Sequence, residues 1–355
     1  IQPQAVVVNG WSSADAFSAL WWCMETNTPT VVMSESTAWD EERVGWKEWI
    51  KGRLVKLNSA GLAGGTPHAD YLAKLGLPRD RIFKGYDIVD NDYFSNKAEE
   101  SRKQKAEKRK RYGLPENYFL ASARFVEKKN LRRLIEAYAR YRAMAEQAEG
   151  RSQGSEVGSR NTSTGLQPPS PQSGEGIMEV GRRKSEIWKL VLLGDGPLRE
   201  TLNSQLSTLN LQPFVHLPGF KQYDELPAYY ALAGAFVHAS TTEQWGLVVN
   251  EAMASGLPVL VSSRCGCAAD LVRDGVNGFL FDPCNVEELA GLMLKISAFN
   301  FQLSTFGSES RRIIAGWGPE RFANGLRDAV AAALKNPRPR AGLADRLLLR
   351  LLASQ

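Results

Sequence analysis

Residues 241–263 read TTEQWGLVVNEAMASGLPVLVSS. The stretch holds two acids eight positions apart, Glu243 and Glu251, with Gly246 between them. After Gly246 the run Leu247 to Ala254 reads as helix, and Pro258 to Val261 reads as a short buried strand. On that helix Glu251 shares a face with Leu247 and Val248. A carboxylate on an apolar face costs on the order of several kcal/mol if it is buried without a partner. Glu251 must therefore reach a rim or bind something. A pair of ribose hydroxyls would satisfy it in two bonds. Glu243, in the loop before the helix, can accept from sugar hydroxyls. The amides around Gly246 and Leu247 can hold phosphate oxygens.

The same strand–helix rhythm extends in both directions. Downstream, Gly278–Phe281 is a strand. Upstream, strands are expected at Tyr118–Ser122, Trp188–Leu193, Phe214–Leu217 and Ala235–His238, with a helix over Leu131 to Glu146. The alternation predicts an open, doubly wound α/β sheet. Ligands of such sheets sit beyond the carboxyl ends of the strands. That rule selects Arg124, Gly194 to Gly196, Gly219, Ser240 to Gly246 and Ser262 to Gly266. Arginine, glycines, hydroxyls and a carboxylate beside a helix start suit a polyhydroxylated, phosphorylated ligand.

A second, shorter series precedes it, with strands at Ala5–Val8, Pro29–Met33, Gly61–Gly65 and Ile82–Tyr86, and helices at Ala14–Met24 and Ala69–Leu75. Between the two series lies KAEESRKQKAEKRKR, residues 97–111. It reads as a solvated helix between domains; its sharper reading is an electrostatic contact with an anionic membrane surface. Residues 147–185 are rich in Ser, Gly, Gln and Pro and read as a disordered insertion. The division is residues 1–96, a charged linker 97–116, a second domain 117–316 and C-terminal helices 317–355.

The 355 residues suit two domains, and the 43% hydrophobic content supplies their cores. A net charge of +5 does not call for nucleic acid. Four cysteines, Cys23, Cys265, Cys267 and Cys284, read as reduced thiols rather than a disulfide framework. With three histidines in the chain and CxC spacing at Cys265, a metal site is not expected. No apolar run reaches the ~18 residues that span a bilayer.

Several elements together resemble the retaining glycosyltransferases of family 4, which have the GT-B architecture of two Rossmann-like domains facing a cleft. Glu243 and Glu251 match that family's E-x7-E element. RFVEKKN (124–130) resembles its strand-end element with an arginine and a lysine five residues later. LLGDGPL (192–198), VHLPGF (215–220) and GVNGFL (275–280) resemble three further loops in the same order. The resemblance implies transfer of a sugar from a nucleotide-diphosphate-sugar donor to an acceptor hydroxyl with retention of configuration. It implies that Arg124 and Lys129 neutralise the diphosphate, Glu243 contacts the donor sugar and Glu251 binds the ribose. Gly246 and Leu247 complete the phosphate clamp, and Gly194, Gly196, Gly219 and Phe220 line the donor site. No metal or other cofactor is expected, although Asp90-Asn91-Asp92 spells D-x-D. Trp245 stands where the family usually carries phenylalanine.

The first domain is short for such a fold, and Val6 to Val8 resembles a middle strand of it. The chain begins at Ile1, which reads as an N-terminally incomplete enzyme. Where the family often has a cleft histidine, this chain has Asn9-Gly10-Trp11. Ser34 and Glu35 are the acceptor-side candidates. The acceptor is expected to be a glycan or a lipid-linked molecule, and the protein cytoplasmic or peripheral at the inner membrane face. A degenerate sugar-nucleotide-binding protein and a sugar-nucleotide epimerase of the same fold are the alternatives.

Overall fold

The computed structural model describes residues 2–157, 187–298, 303–336 and 341–353. The chain opens with β1 (Val6–Asn9), α1 (Ala14–Glu25), β2 (Thr30–Ser34), α2 (Gly45–Lys56), β3 (Ala60–Ala63), α3 (Thr66–Lys74) and β4 (Ile82–Lys84). These four strands form one parallel sheet in the order β1-β2-β3-β4. Their period-2 alternation sends neighbouring residues to opposite faces. Val32 and Ala63 pack with Val55 of α2 and with Tyr71 and Leu72 of α3. Val31, Ala60 and Leu62 face the other way, toward residues far down the chain.

The second unit begins with α4 (Asn91–Lys103) and α5 (Lys105–Tyr112). Residues 97–111 are therefore almost wholly helical. Phe94 and Ala98 of α4 are fully buried in the second domain's core, so the chain joins that domain before residue 96. Asp90 serves as the N-cap of α4, accepting from the Tyr93 amide at 2.9 Å. The elements β5 (Tyr118–Ser122), α6 (Leu131–Val157), β6 (Lys189–Leu193), α7 (Arg199–Thr208), β7 (Val215–Gly219) and α8 (Leu226–Leu232) follow. The helix expected over Leu131 to Glu146 thus runs on to Val157. The first part of the expected insertion, 147–157, is helical: Gln147, Ala148 and Glu149 continue the helix-forming run, and the helix extends beyond them despite Gly150 and Gly154. The rest of it, residues 158–186, lies outside the described residues.

Next come β8 (Ala235–His238), α9 (Leu247–Ala254), β9 (Val259–Ser262), α10 (Ala268–Leu271), β10 (Gly278–Phe281), α11 (Val286–Ala298) and α12 (Leu303–Ile314). The six strands form a parallel sheet ordered β10-β9-β8-β5-β6-β7. Strand order reverses where β5 pairs with β8, through Phe119↔Ala235 and Leu120↔Phe236. The loops leaving these two strands diverge there and open a crevice. Alternation again builds two cores. Tyr118 and Leu120 face α4, α8 and α9. Phe119 and Ala121 face α6, α7 and α11.

The chain then crosses back. α13 (Pro319–Lys335) covers the open face of the first sheet, setting Ala329 and Ala333 against Val31 and Leu62. α14 (Leu343–Ala353) seats Leu349 beside Leu20 and Met24 of α1. Arg53 of α2 bonds Asp345 at 2.7 Å.

Candidate active site

The carboxyl ends of the two sheets meet. His68 of α3, fully buried, accepts the Gly65 amide on Nδ1 at 3.0 Å, which leaves Nε2 to donate to the Gln244 carbonyl at 2.8 Å. Thr66 donates from its amide and its hydroxyl to Asp270, both at 2.6 Å. The Arg264 guanidinium lies 5.9 Å from the ring centre of Trp39. A histidine does reach the interface, but it comes from α3 rather than from the loop after β1.

At the switch point of the second sheet, Lys129 reaches Glu243 in a half-buried ion pair across 114 positions of sequence. A 3-10 turn at Glu127–Lys129, ended by Asn130 with a φ of +56°, aims the lysine. Asn130 locks the turn by donating to the carbonyls of Ala239 (3.0 Å) and Pro283 (2.7 Å). Glu243 has two further neighbours, one at the end of β8 and one just past it. Ser240 Oγ donates to Oε2 at 3.3 Å, and His238 Nε2 lies 3.3 Å from the same oxygen. Burial opposes ionisation of Glu243, but His238 and then Lys129 outweigh it and hold the carboxyl at about 2. Burial likewise opposes charge on His238, yet Cys265 and Glu243 push it up to about 9. A fixed carboxylate therefore stands between two cations at the mouth of the crevice.

Gly246 is required beside it. Its φ is +100°, and a Cβ there would lie 2.8 Å from Cys265 Sγ and 3.4 Å from Glu243 Cγ. Leu247, 42% exposed, starts α9, whose first amides lack intrahelical acceptors. One helix turn on, Glu251 is held by the Tyr230 hydroxyl, which donates to Oε2 at 2.7 Å. Burial pushes its carboxyl up to about 7, with only Tyr230 acting against it. Trp245 is buried where the two domains meet: its Nε1 donates to Asn250 Oδ1 at 2.9 Å, and its ring packs 5.0 Å from that of Trp317 and 5.8 Å from that of His68.

The remaining expected residues take mixed positions. Arg124 follows β5 and is exposed. Gly194 and Gly196 let the loop after β6 lie on the loop after β5: a Cβ on Gly194 would meet the Ala123 carbonyl oxygen at 1.9 Å. That packing requires glycine with or without a ligand. Gly219 bonds the Gly194 amide at 3.0 Å, and Phe220 next to it leaves its ring 68% exposed. On the first domain, Ser34 is buried and its hydroxyl is taken by the Ser36 amide at 3.2 Å. Glu35 is half-buried. Burial first, and Glu243 with it, raise its carboxyl above the usual range, while Tyr86 lowers it. Sequence reasoning missed His68 and His238; a histidine ending an apolar strand, as in AFVH, was the one local signal for His238. Among the described residues no cluster of three or more His, Cys, Asp and Glu converges as a metal site.

Residues 178–309 match the family model described as glycosyl transferases group 1. A stretch of 103 residues is 42% identical to a sulfoquinovosyl transferase of Arabidopsis thaliana, covering 28% of this chain and 19% of that protein. Another, of 184 residues, is 28% identical to a GDP-mannose-dependent alpha-(1-6)-phosphatidylinositol monomannoside mannosyltransferase of Mycobacterium tuberculosis, covering 48% of each. The chain thus spans less than half the length of these curated relatives. Among solved structures, Anabaena HepE in complex with UDP is similar at a TM-score of 0.68 and 18% identity, covering 92% of this chain and 78% of that one. Sucrose-phosphate synthase of Thermosynechococcus elongatus is similar at 0.61 and 17% identity, covering 92% and 73%. The architecture is GT-B, two parallel-sheet domains facing each other.

Proposed function

We propose that the protein transfers a sugar from a nucleotide-diphosphate sugar to an acceptor hydroxyl with retention of configuration. The observation that carries this reading is the Lys129–Glu243 pair at the switch point, followed along α9 by Glu251. In the reaction, Lys129 and Arg124 meet the negative charge that grows on the leaving diphosphate. Charge stabilisation of this kind is usually the largest catalytic term. Glu243 accepts from donor-sugar hydroxyls and orients the reacting carbon. The amides at Gly246 and Leu247 hold phosphate oxygens, and Glu251 accepts from the ribose. Phe220, exposed beyond β7, offers a face to the base.

UDP is the first nucleotide to test, since HepE is described in complex with it. An acceptor at a lipid surface is supported by the relatives named for lipid substrates, among them an alpha-monoglucosyldiacylglycerol synthase of Acholeplasma laidlawii. No described helix is long and apolar enough to cross a membrane. A peripheral membrane contact is supported by exposed apolar side chains on α2 and α14. Trp46 and Trp49 are 63% and 59% exposed, and Leu343, Leu347 and Leu351 recur every fourth residue at 80%, 62% and 62%.

The test is transfer from a panel of UDP-, GDP- and ADP-sugars, read by mass spectrometry, in wild type and in Glu243→Ala and Lys129→Ala. Each substitution is expected to lower kcat by about 10²–10³-fold. Undiminished transfer in both variants rejects the assignment.

A further inference from the structure

Trp46, Trp49, Arg53 and Lys56 follow one another along α2 at helical spacing, which sets them in one stripe. The stripe is aromatic at its start and cationic at its end. Beyond Trp49 the surface sinks into a cavity of about 520 Å³, bounded by Trp49, Arg53 and Lys56, by Lys74 and Leu75 at the end of α3, and by Asp345 of α14. Small-ligand sites span roughly 300–1,000 Å³. Leu57 and Leu75, both buried, give it an apolar floor. Its acids are already taken. Asp345 pairs with Arg53 at 2.7 Å, and Glu48 accepts from the Tyr71 hydroxyl at 2.9 Å and from Lys51 at 3.3 Å. The ammonium groups of Lys56 and Lys74 have no ion pair or hydrogen bond among the described residues. Gly76, with a φ of +106°, makes room for Lys56: a Cβ there would lie 2.2 Å from the lysine Cε. Lysines in a last turn often serve a helix's open carbonyls. Here backbone amides do so: Leu57 and Asn58 donate to Leu54 and Val55 at 3.2 and 3.0 Å, and Gly76 and Leu77 to Ala73 and Leu72 at 3.0 and 3.1 Å.

We propose that this cavity holds the phosphate of an anionic phospholipid, whose chains lie against Trp49 and against Leu343 and Leu347 of α14. The site rests on the peripheral membrane contact proposed above and gives that contact a specific chemistry. Two unpaired cations beside exposed tryptophans and leucines match a molecule with an anionic head and apolar chains. A phosphate offers several acceptor oxygens to Lys56, to Lys74 and to Arg53, whose Nε alone is engaged by Asp345. A zwitterionic lipid brings a cation of its own, which Lys56 and Lys74 repel. The lipid held here is not the acceptor. α2 and α3 end where the chain turns back toward the starts of β3 and β4, so the cavity lies at the amino edge of the first sheet, whereas the crevice opens at the carboxyl edges. It is an anchor, which stays bound while acceptors turn over.

The experiment titrates the full chain by calorimetry with dihexanoyl phosphatidic acid, dihexanoyl phosphatidylcholine and inorganic phosphate, the lipids kept below the concentration at which they form micelles. Sedimentation with vesicles of phosphatidylcholine, alone and with phosphatidylglycerol, runs alongside. Wild type is expected to bind one phosphatidic acid at least tenfold more tightly than either other ligand. Lys56→Ala with Lys74→Ala should weaken that binding by tenfold or more, and Lys56→Arg with Lys74→Arg by less than threefold. Lys47→Ala with Arg350→Ala, which removes cations of α2 and α14 outside the cavity, should weaken it by less than twofold. Both cavity lysines are exposed, so melting should not change. Equal binding of the two lipids, free phosphate held as tightly as the lipid, an equal loss in the Lys47 and Arg350 control, or a dimer built through this face and broken by Leu347→Ser overturns the proposal. Vesicles bound equally by wild type and the Lys56 and Lys74 alanine variant would remove the site and keep the membrane contact. Wild type that ignores anionic vesicles yet binds the soluble lipid through these two lysines would remove the contact and keep the site.

Discussion

The six-stranded sheet reverses its strand order between β5 and β8, whereas the four-stranded sheet runs in one direction from β1 to β4. The reversal does two things for the larger sheet. It sends its own helices to both faces, and it opens a crevice at its own carboxyl edge. The smaller sheet has neither. Right-handed crossovers in a single direction place α1, α2 and α3 on one face. Its other face is covered by α13, from more than 230 positions further along the chain (Pro319 against Lys84). The larger sheet is therefore closed and carries the charged crevice. The smaller is closed by a borrowed helix and supplies the opposing wall.

The largest effect that tests this contrast is on the chemistry. Lys129→Ala and Glu243→Ala change the larger sheet's crevice, and the expected fall in transfer is about 10²–10³-fold with little change in melting. Next is the borrowed helix. Ala329 is fully buried between α13 and β3. Ala329→Asp places an unpaired charge there, at about 4 kcal/mol or more. Calorimetry should show a low-temperature transition for the first domain, with the second domain melting near its usual point. A single, uniformly shifted transition would mean that the two sheets unfold as one body and that the contrast is only geometric.

The third test concerns His238. Its folded pKa of about 9 lies above its ordinary 6.5, so its stabilisation is full below 6.5 and fades as pH rises through 9. Glu243 works in the opposite direction: with a folded value of about 2 against 4.5, its contribution is full above 4.5 and fades as pH falls through 2. Both are present between about 4.5 and 6.5. The stability gap between wild type and His238→Gln, read by chemical denaturation, should be widest there, on the order of 2 kcal/mol, and close above pH 9. A gap that does not vary with pH would remove the charge-coupled pairing from the account.

These tests also separate what sequence could show from what it could not. Glu243, Glu251, Arg124 and Lys129 could be singled out as candidates because they stand in local spacings fixed by a strand end, a loop and a helix turn. The second sheet was legible because Tyr118 to Ser122 and its sister strands are continuous apolar runs between turns. What sequence hides is pairing at a distance. Lys129 and Glu243 were read as separate tools, one for phosphate and one for sugar, yet they hold each other across 114 positions. His68 gains meaning only where the two rims meet. Helix α2 went unread because its apolar residues do not make one buried stripe: Leu54 and Val55 turn inward, while Trp46 and Trp49 face out. The stretch 147–157 looked like loop from its composition and is the end of α6.

A smaller effect probes the surface rather than the crevice. The exposed leucines of α14 and tryptophans of α2 lie on the smaller sheet's side of the molecule. If that side meets lipid, Leu347→Ser combined with Trp49→Ser should lower binding to vesicles of anionic phospholipid by about tenfold, since each buried side chain contributes about 1.5–3 kcal/mol when fully inserted and less at an interface. Binding that is equal for the variant, or lost instead on neutralising Lys105, Lys108 and Lys110 of α5, would move the contact to the linker helices.

The smallest effect is a slope, and it tests the far end of the crevice. Glu251 has a folded value of about 7 against 4.5, so between those pH values the native chain keeps a proton that the unfolded chain has lost, and stability falls as pH rises through that window. A nucleotide whose ribose hydroxyls donate to Glu251 binds best to the ionised carboxylate. Its binding then expels the proton, and UDP affinity should rise from pH 6 to pH 8 by about three- to tenfold. UDP itself loses a proton over the same range, so the quantity to read is the difference between wild type and Glu251→Gln, measured by calorimetry in buffers of different ionisation heat. If the two slopes coincide, Glu251 does not meet the ribose. The raised carboxyl would then reflect burial alone, and the larger sheet's crevice would be shorter than α9.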